Sequence, residues 1–143
     1  MNYQYKGDIE KEKDELEADI EYLNGEYDEL ADELAEIEAD EEATDEEYRA
    51  KEDEVNNKRR EIEFWKEENQ ERLDDLTQCL KAMDDYCGGD TLINEDSFTD
   101  YVIELADSAD IPNWIVVDWE ATAEDVAMDY TVVEFEGETW YMR

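Results

Sequence analysis

The sequence predicts an α+β protein, in which a long antiparallel helical coiled-coil hairpin over residues 1–87 precedes a small α+β module over residues 88–143. Three observations carry that expectation. Apolar residues recur at heptad spacing from Asp8 to Tyr86, Gly88-Gly89 interrupts the run, and the chain closes on two β-rich segments around Glu136-Gly137.

In the first half of the heptad region Ile9, Leu16, Leu23, Leu30 and Ile37 stand seven apart, with Ile20, Tyr27 and Leu34 between them. The second half repeats Tyr48, Val55, Ile62, Leu76 and Met83, joined by Leu73 and Leu80, while Asn69 holds the one polar place. Between the halves ADEEATDEE has no periodic apolar residue, and Thr44 with Glu47 forms a capping box that starts a second helix. Reversal between Glu42 and Ala43 brings Ile37 level with Tyr48, Leu30 with Val55, Leu23 with Ile62, Leu16 with Asn69 and Ile9 with Leu76. A single long helix pairing in parallel in a homodimer would use the same heptads. In the hairpin, Asn69 opposite Leu16 is expected to disfavour slipped registers.

The same stretch is densely acidic. Two helices of about 60 Å carry roughly 33 Asp and Glu, one per ~1.8 Å of axis, against one phosphate per ~1.7 Å of duplex DNA. Subtracting roughly ten Lys and Arg leaves one net charge per ~2.6 Å. Paired helices make a rod roughly 20 Å wide. A charged outer face is ordinary for a coiled coil, but such faces usually mix Glu with Lys. Here Lys11 and Lys13 are followed by no base until Arg49.

With 48 acidic and 12 basic residues and no His, the formal charge is −36, which opposes direct binding to nucleic acid or to an anionic membrane and favours basic partners. Nine Tyr and four Trp argue against a disordered acidic tail. The opening MNYQYKGD has no signal-peptide pattern, and the longest apolar run is the short WIVV from Trp114, so a soluble cytoplasmic protein is expected. Cys79 and Cys87, eight apart without His, argue against zinc, and a structural disulfide is not expected in a reducing compartment. Cys79 reads as part of a helix face and Cys87 as a small residue beside the turn. There is no nucleophile elbow, phosphate-cradling loop or EF-hand spacing, and carboxylate pairs are too abundant to single one out, so neither catalysis nor a cofactor is expected.

Gly88-Gly89 is expected to stop the second helix through left-handed backbone angles. Beyond it, Leu92-Ile93 is a short apolar pair, and Ser97 with Asp100 forms a capping box for a helix with Phe98, Tyr101, Val102, Leu105 and Ala109 on one face, ended by Pro112. Asp118 is a candidate N-cap for a second short helix whose inward side holds Trp119, Ala123, Val126 and Tyr130. TVVEF and ETWYM around Glu136-Gly137 read as a β-hairpin, with Val133 and Phe135 on one face and Trp140 and Met142 packing across.

Phrases similar to EDxFxxYxxELA, an IP turn, IDWEAxAxDxxMDY, with Val117 in place of its Ile, and a closing strand pair ending in Arg follow one another here. The matching residues are Glu95, Asp96, Phe98, Tyr101, Glu104, Leu105, Ala106, Asp118, Trp119, Glu120, Ala121, Ala123, Met128, Asp129, Tyr130, Glu134, Gly137 and Arg143. In these phrases the chain resembles the C-terminal module of ArdA-type antirestriction proteins, over about residues 90–143. The other modules of that family are replaced here by the heptad region. The resemblance implies a phage or mobile-element protein, acting in the bacterial cytoplasm, that mimics DNA in the groove of Type I restriction-modification enzymes.

The expected function is therefore inhibition of a bacterial defence enzyme, a restriction-modification enzyme or a CRISPR nuclease, through its basic DNA-binding surface. The alternatives are an acidic coiled-coil scaffold, or a chaperone-like binder of basic proteins. The carboxylates expected to face the partner are Glu26, Asp28, Glu29, Asp32, Glu33, Glu36, Glu38, Asp40, Glu41, Glu42, Asp45, Glu46 and Glu47 in the heptad region. The C-terminal module adds Glu104, Asp107, Asp110, Asp118, Glu120, Glu124, Asp125 and Asp129, the two sets being expected to make one acidic surface.

Overall fold

The computed structural model describes residues 2–85, 89–107 and 110–143. In chain order the elements are β1 (Tyr3–Tyr5), α1 (Lys6–Ala39), α2 (Asp45–Asp85), β2 (Thr91–Asn94), α3 (Phe98–Ala106), α4 (Trp119–Ala127), β3 (Thr131–Phe135) and β4 (Glu138–Met142), with a 3-10 turn over Glu95–Ser97. The class is α+β: two long helices that pack together, and a small antiparallel sheet in the order β1-β2-β4-β3. The chain forms two compact units, Lys13–Asp74 and Met1–Glu12 with Asp75–Arg143. The boundary read from sequence, between residues 87 and 88, lies outside the described residues, as do Cys87, Gly88 and Ala109.

In the unit Lys13–Asp74 the sequence turns back on itself through Asp40 and Thr44. Asp40 holds the turn by accepting from the backbone N–H of Glu42 at 3.0 Å, and Thr44 caps α2 by accepting from the N–H of Glu47 at 3.2 Å. The helices then meet through Lys51–Glu33, Lys58–Glu26, Tyr48–Glu38 and Arg59–Tyr27. The paired numbers rise on one helix as they fall on the other, so these stretches run antiparallel. Leu23, Val55 and Ile62 are buried, while Leu16, Leu30, Leu34, Ile37 and Tyr48 are half-buried. Asn69 is half-buried and donates its amide to the carbonyl of Trp65, one turn back in its own helix, at 3.1 Å.

The other unit is built on the sheet. β1 pairs Tyr3 with Ile93, β2 pairs Leu92 with Met142, and β4 pairs Trp140 with Val133. Alternation places Ile93 and Tyr141 on one face, where they pack with Phe98, Tyr101 and Val102 of α3, Ala123 of α4 and Tyr130. The opposite face carries Leu92, Asn94, Val133, Phe135, Trp140 and Met142, all buried. Ile9, Leu76, Cys79, Leu80 and Met83, from the ends of α1 and α2, are buried in the same unit. Trp140 satisfies its indole N–H on the Phe135 carbonyl at 2.9 Å.

The sheet departs from the expected lone hairpin, since β1 and β2 extend it to four strands. The hairpin itself forms as read, with φ of 58° at Glu136 and 72° at Gly137, the two left-handed residues that suit a right-twisted strand pair. Asp118 caps α4 by accepting from the N–H of Ala121 at 3.1 Å. Ser97, in contrast, makes no side-chain cap for α3; its hydroxyl accepts from the N–H of Asn2 at 2.9 Å, and Asn94 caps the 3-10 turn instead. Described helix α3 ends at Ala106, ahead of Pro112, and Leu105 is exposed rather than inward.

Candidate partner-binding surface

Helix α1 sets out its carboxylates by a simple rule. Apolar residues at Leu23, Leu30 and Ile37 face α2, which turns Asp28, Glu29, Asp32 and Glu36 to solvent. Asp28, Asp32 and Glu36 follow at four-residue steps, so they lie one above the next along one stripe, about 6 Å apart in rise. Like charges at that spacing destabilise a helix, and no base lies between Lys13 and Arg49 to offset them. Glu41, Glu42, Asp45, Glu46 and Glu47 are exposed around the turn.

Three of the expected carboxylates on α1 are engaged by side chains of α2, and Asp40 is engaged by the backbone N–H of Glu42 in the turn. Glu33 receives the Lys51 ammonium at 2.6 Å, Glu26 the Lys58 ammonium at 3.4 Å, and Glu38 the Tyr48 hydroxyl at 3.3 Å. Glu26 is also the one expected site residue that is half-buried rather than exposed. Hydrogen bonds raise the pKa of both lysines, Lys51 chiefly through Glu33 and Lys58 chiefly through Glu61. The charge of Glu38 raises the Tyr48 hydroxyl.

Sequence reasoning missed the lysines' position. Lys51, Lys58 and Trp65 stand three residues after Tyr48, Val55 and Ile62, and all three are half-buried, forming a second row of α2 that faces α1. Their apolar stems line that row while the ammonium heads reach carboxylates of the other helix. The three-residue offset was the available signal, hidden because an apolar search passes over lysine.

In the sheet unit Glu104, Asp107, Asp110, Asp118, Glu120, Glu124, Asp125 and Asp129 are exposed. One carboxylate oxygen of Asp118 accepts the cap hydrogen bond from the N–H of Ala121. Glu104 lines a cavity of about 340 Å³ with Tyr3, Tyr5, Tyr101, Leu105 and Arg143. The Tyr3 hydroxyl is pushed up by burial first and then by the Glu104 charge.

Among the described residues no group of His, Cys, Asp and Glu is arranged to hold a metal ion, and no helix is long and apolar enough to cross a membrane. No protein-family model matches the chain, and neither a curated protein nor a solved structure matches it.

Proposed function

We propose that this protein inhibits a bacterial defence enzyme, a restriction-modification enzyme or a CRISPR nuclease, by DNA mimicry. In this reading the paired helices of Lys13–Asp74 form a coiled-coil hairpin whose carboxylates stand in for phosphates in a basic cleft. The observation that carries the reading is the exposed stripe Asp28, Asp32 and Glu36 on a helix face without bases, kept despite its self-repulsion.

Charge density supports the same reading. Residues 13–74 hold about 27 Asp and Glu and about 8 Lys and Arg, and the α2 portion is about 45 Å long. That is one acid per ~1.7 Å, or one net charge per ~2.4 Å, close to the spacing of duplex phosphates. Two helices of about 10–12 Å side by side give a width near that of a duplex. The resemblance of residues 90–143 to ArdA-type proteins points to the same class of target.

The test is a carboxylate-swap series on the full chain, with Asp28, Glu29, Asp32 and Glu36 changed stepwise to Asn or Gln. Inhibition of duplex cleavage is measured with a Type I restriction-modification enzyme and with a CRISPR nuclease. Each swap is expected to weaken inhibition of the susceptible enzyme about two- to fivefold, roughly additively for exposed contacts. Inhibition that is unchanged in the fourfold variant rules out mimicry by this helix.

A further inference from the structure

Between α3 and α4 lies an apolar segment that the acidic surface does not account for. Pro112 sets a turn, its carbonyl accepting from the N–H of Ile115 at 3.0 Å. Around that turn Ile111, Trp114, Ile115 and Val116 are exposed by 39, 81, 42 and 96% of their surface. Single exposed apolar residues are normal, but four within six positions, with a nearly bare tryptophan, are not. None of the four is among the described members of the sheet core, and Trp114 and Val116 are the barest of them.

Charge decides what can cover this segment. Asp110 and Asp118 border it, both exposed, and the sequence from Ala82 to Met142 contains no Lys or Arg. Nucleic acid and anionic lipid would be repelled, and so would a second copy of a chain of charge −36. A protein surface carrying an apolar recess within a positive field fits both features. Tryptophan is enriched at such interface centres, where a polar rim excludes water.

We propose that Ile111–Val116 is the apolar anchor of an acidic docking surface, received by a recess on a basic protein surface. This rests on the reading above that the partner is basic, and adds the source of salt-resistant affinity. Exposed charge contacts are screened within about 8–10 Å at physiological salt, whereas apolar contacts are not. The carboxylates would then set approach and orientation, and Trp114 with Val116 the lifetime of the complex.

The test uses two defined probes against the full chain. One is an amphipathic Lys/Leu peptide of about five helical turns, and the other an oligolysine of equal charge. At about 0.5 M NaCl the wild-type chain is expected to bind the amphipathic peptide at least about tenfold more tightly than the oligolysine. The double variant Trp114→Ser, Val116→Ser should cut that preference to about twofold, with oligolysine binding and far-UV circular dichroism unchanged. The proposal is overturned if the variant keeps the wild-type preference or if the wild type shows none. It is also overturned if sedimentation finds a wild-type dimer that the variant abolishes, which makes a second copy the occupant. A preference that disappears in the variant, in a chain that inhibits no DNA-cleaving enzyme, would sink the DNA-mimic reading and leave this one standing.

Discussion

The hydroxyl of Tyr130 lies 3.0 Å from that of Tyr101 over the sheet, and burial, then the hydrogen bond to Tyr101, pushes its pKa up to about 12 from 10.0. Because the folded value is raised, its contribution to stability is complete below pH 10 and is lost as pH rises through about 12. Spectrophotometric titration of the phenolates should show Tyr130 trailing, and Tyr101→Phe should lower its midpoint without restoring the ordinary value, since burial remains. Simultaneous titration of all nine tyrosines would contradict this. Two glycines make opposite predictions. A Cβ on Gly89 would collide with the Met142 side chain and sit 2.6 Å from the Arg143 carbonyl, so Gly89→Ala should cost about 1–3 kcal/mol in chemical denaturation. A Cβ on Gly25, inside α1, meets nothing within 4 Å, so Gly25→Ala should stabilise by about 0.5–1 kcal/mol. Only part of this was legible in the sequence. Glu136-Gly137 reads as the joint of a β-hairpin and forms it with left-handed angles, whereas Gly89 reads as a left-handed helix stop and is needed for a close approach by Met142 and Arg143, which only the fold reveals.

At the scale of elements, Lys51 and Lys58 tie α1 to α2 with stems lining the seam and heads on Glu33 and Glu26. Their pKa values are raised, that of Lys51 chiefly by Glu33 and that of Lys58 chiefly by Glu61 of its own helix, so the contribution of these contacts is intact below pH 10.5 and is lost as pH rises through the folded values. Lys58→Glu should lower the thermal midpoint, while Lys58→Met should hold it, because methionine keeps the apolar stem. Equal loss in both variants would mean that the stem contributes nothing. Long periodic elements were legible because their signal is internal: Leu23, Val55 and Ile62 are seven-spaced and buried. The α4 cap was legible too, since an N-cap acts on the residues just after it, as Asp118 does on Ala121. β1 and β2 were not legible. Tyr3–Tyr5 and Thr91–Asn94 are three and four residues long, too short for alternation to register, and they become strands through distant pairing, β2 with β4 about fifty positions away and β1 with β2 across nearly ninety. The same distance explains Ser97, whose hydroxyl is taken by the N–H of Asn2 instead of capping α3.

For the whole molecule the governing quantity is a charge of −36 on 143 residues. Self-repulsion of that size opposes folding, so the thermal midpoint should rise as salt is raised from about 10 mM to about 0.5 M, over which the Debye length falls from 30 Å to under 8 Å. A midpoint that falls with salt would show that attractive pairs such as Lys51–Glu33 outweigh the repulsion. The composition announced this charge, and the carboxylates named from sequence are exposed with the exception of Glu26. Composition could not reveal which of them are tied up internally, as Glu26, Glu33 and Glu38 are, because that depends on how α1 and α2 meet. The central claim is that the protein occupies the place of duplex DNA, and competition tests it most directly. Inhibition of the susceptible nuclease or methyltransferase is measured by titrating the protein at each of several fixed concentrations of duplex, with the enzyme held constant. The account predicts that the inhibitor concentration for half effect rises in direct proportion to duplex, and that saturating duplex displaces the protein completely. A half-effect concentration indifferent to duplex, or a ternary complex of enzyme, DNA and protein, would contradict it.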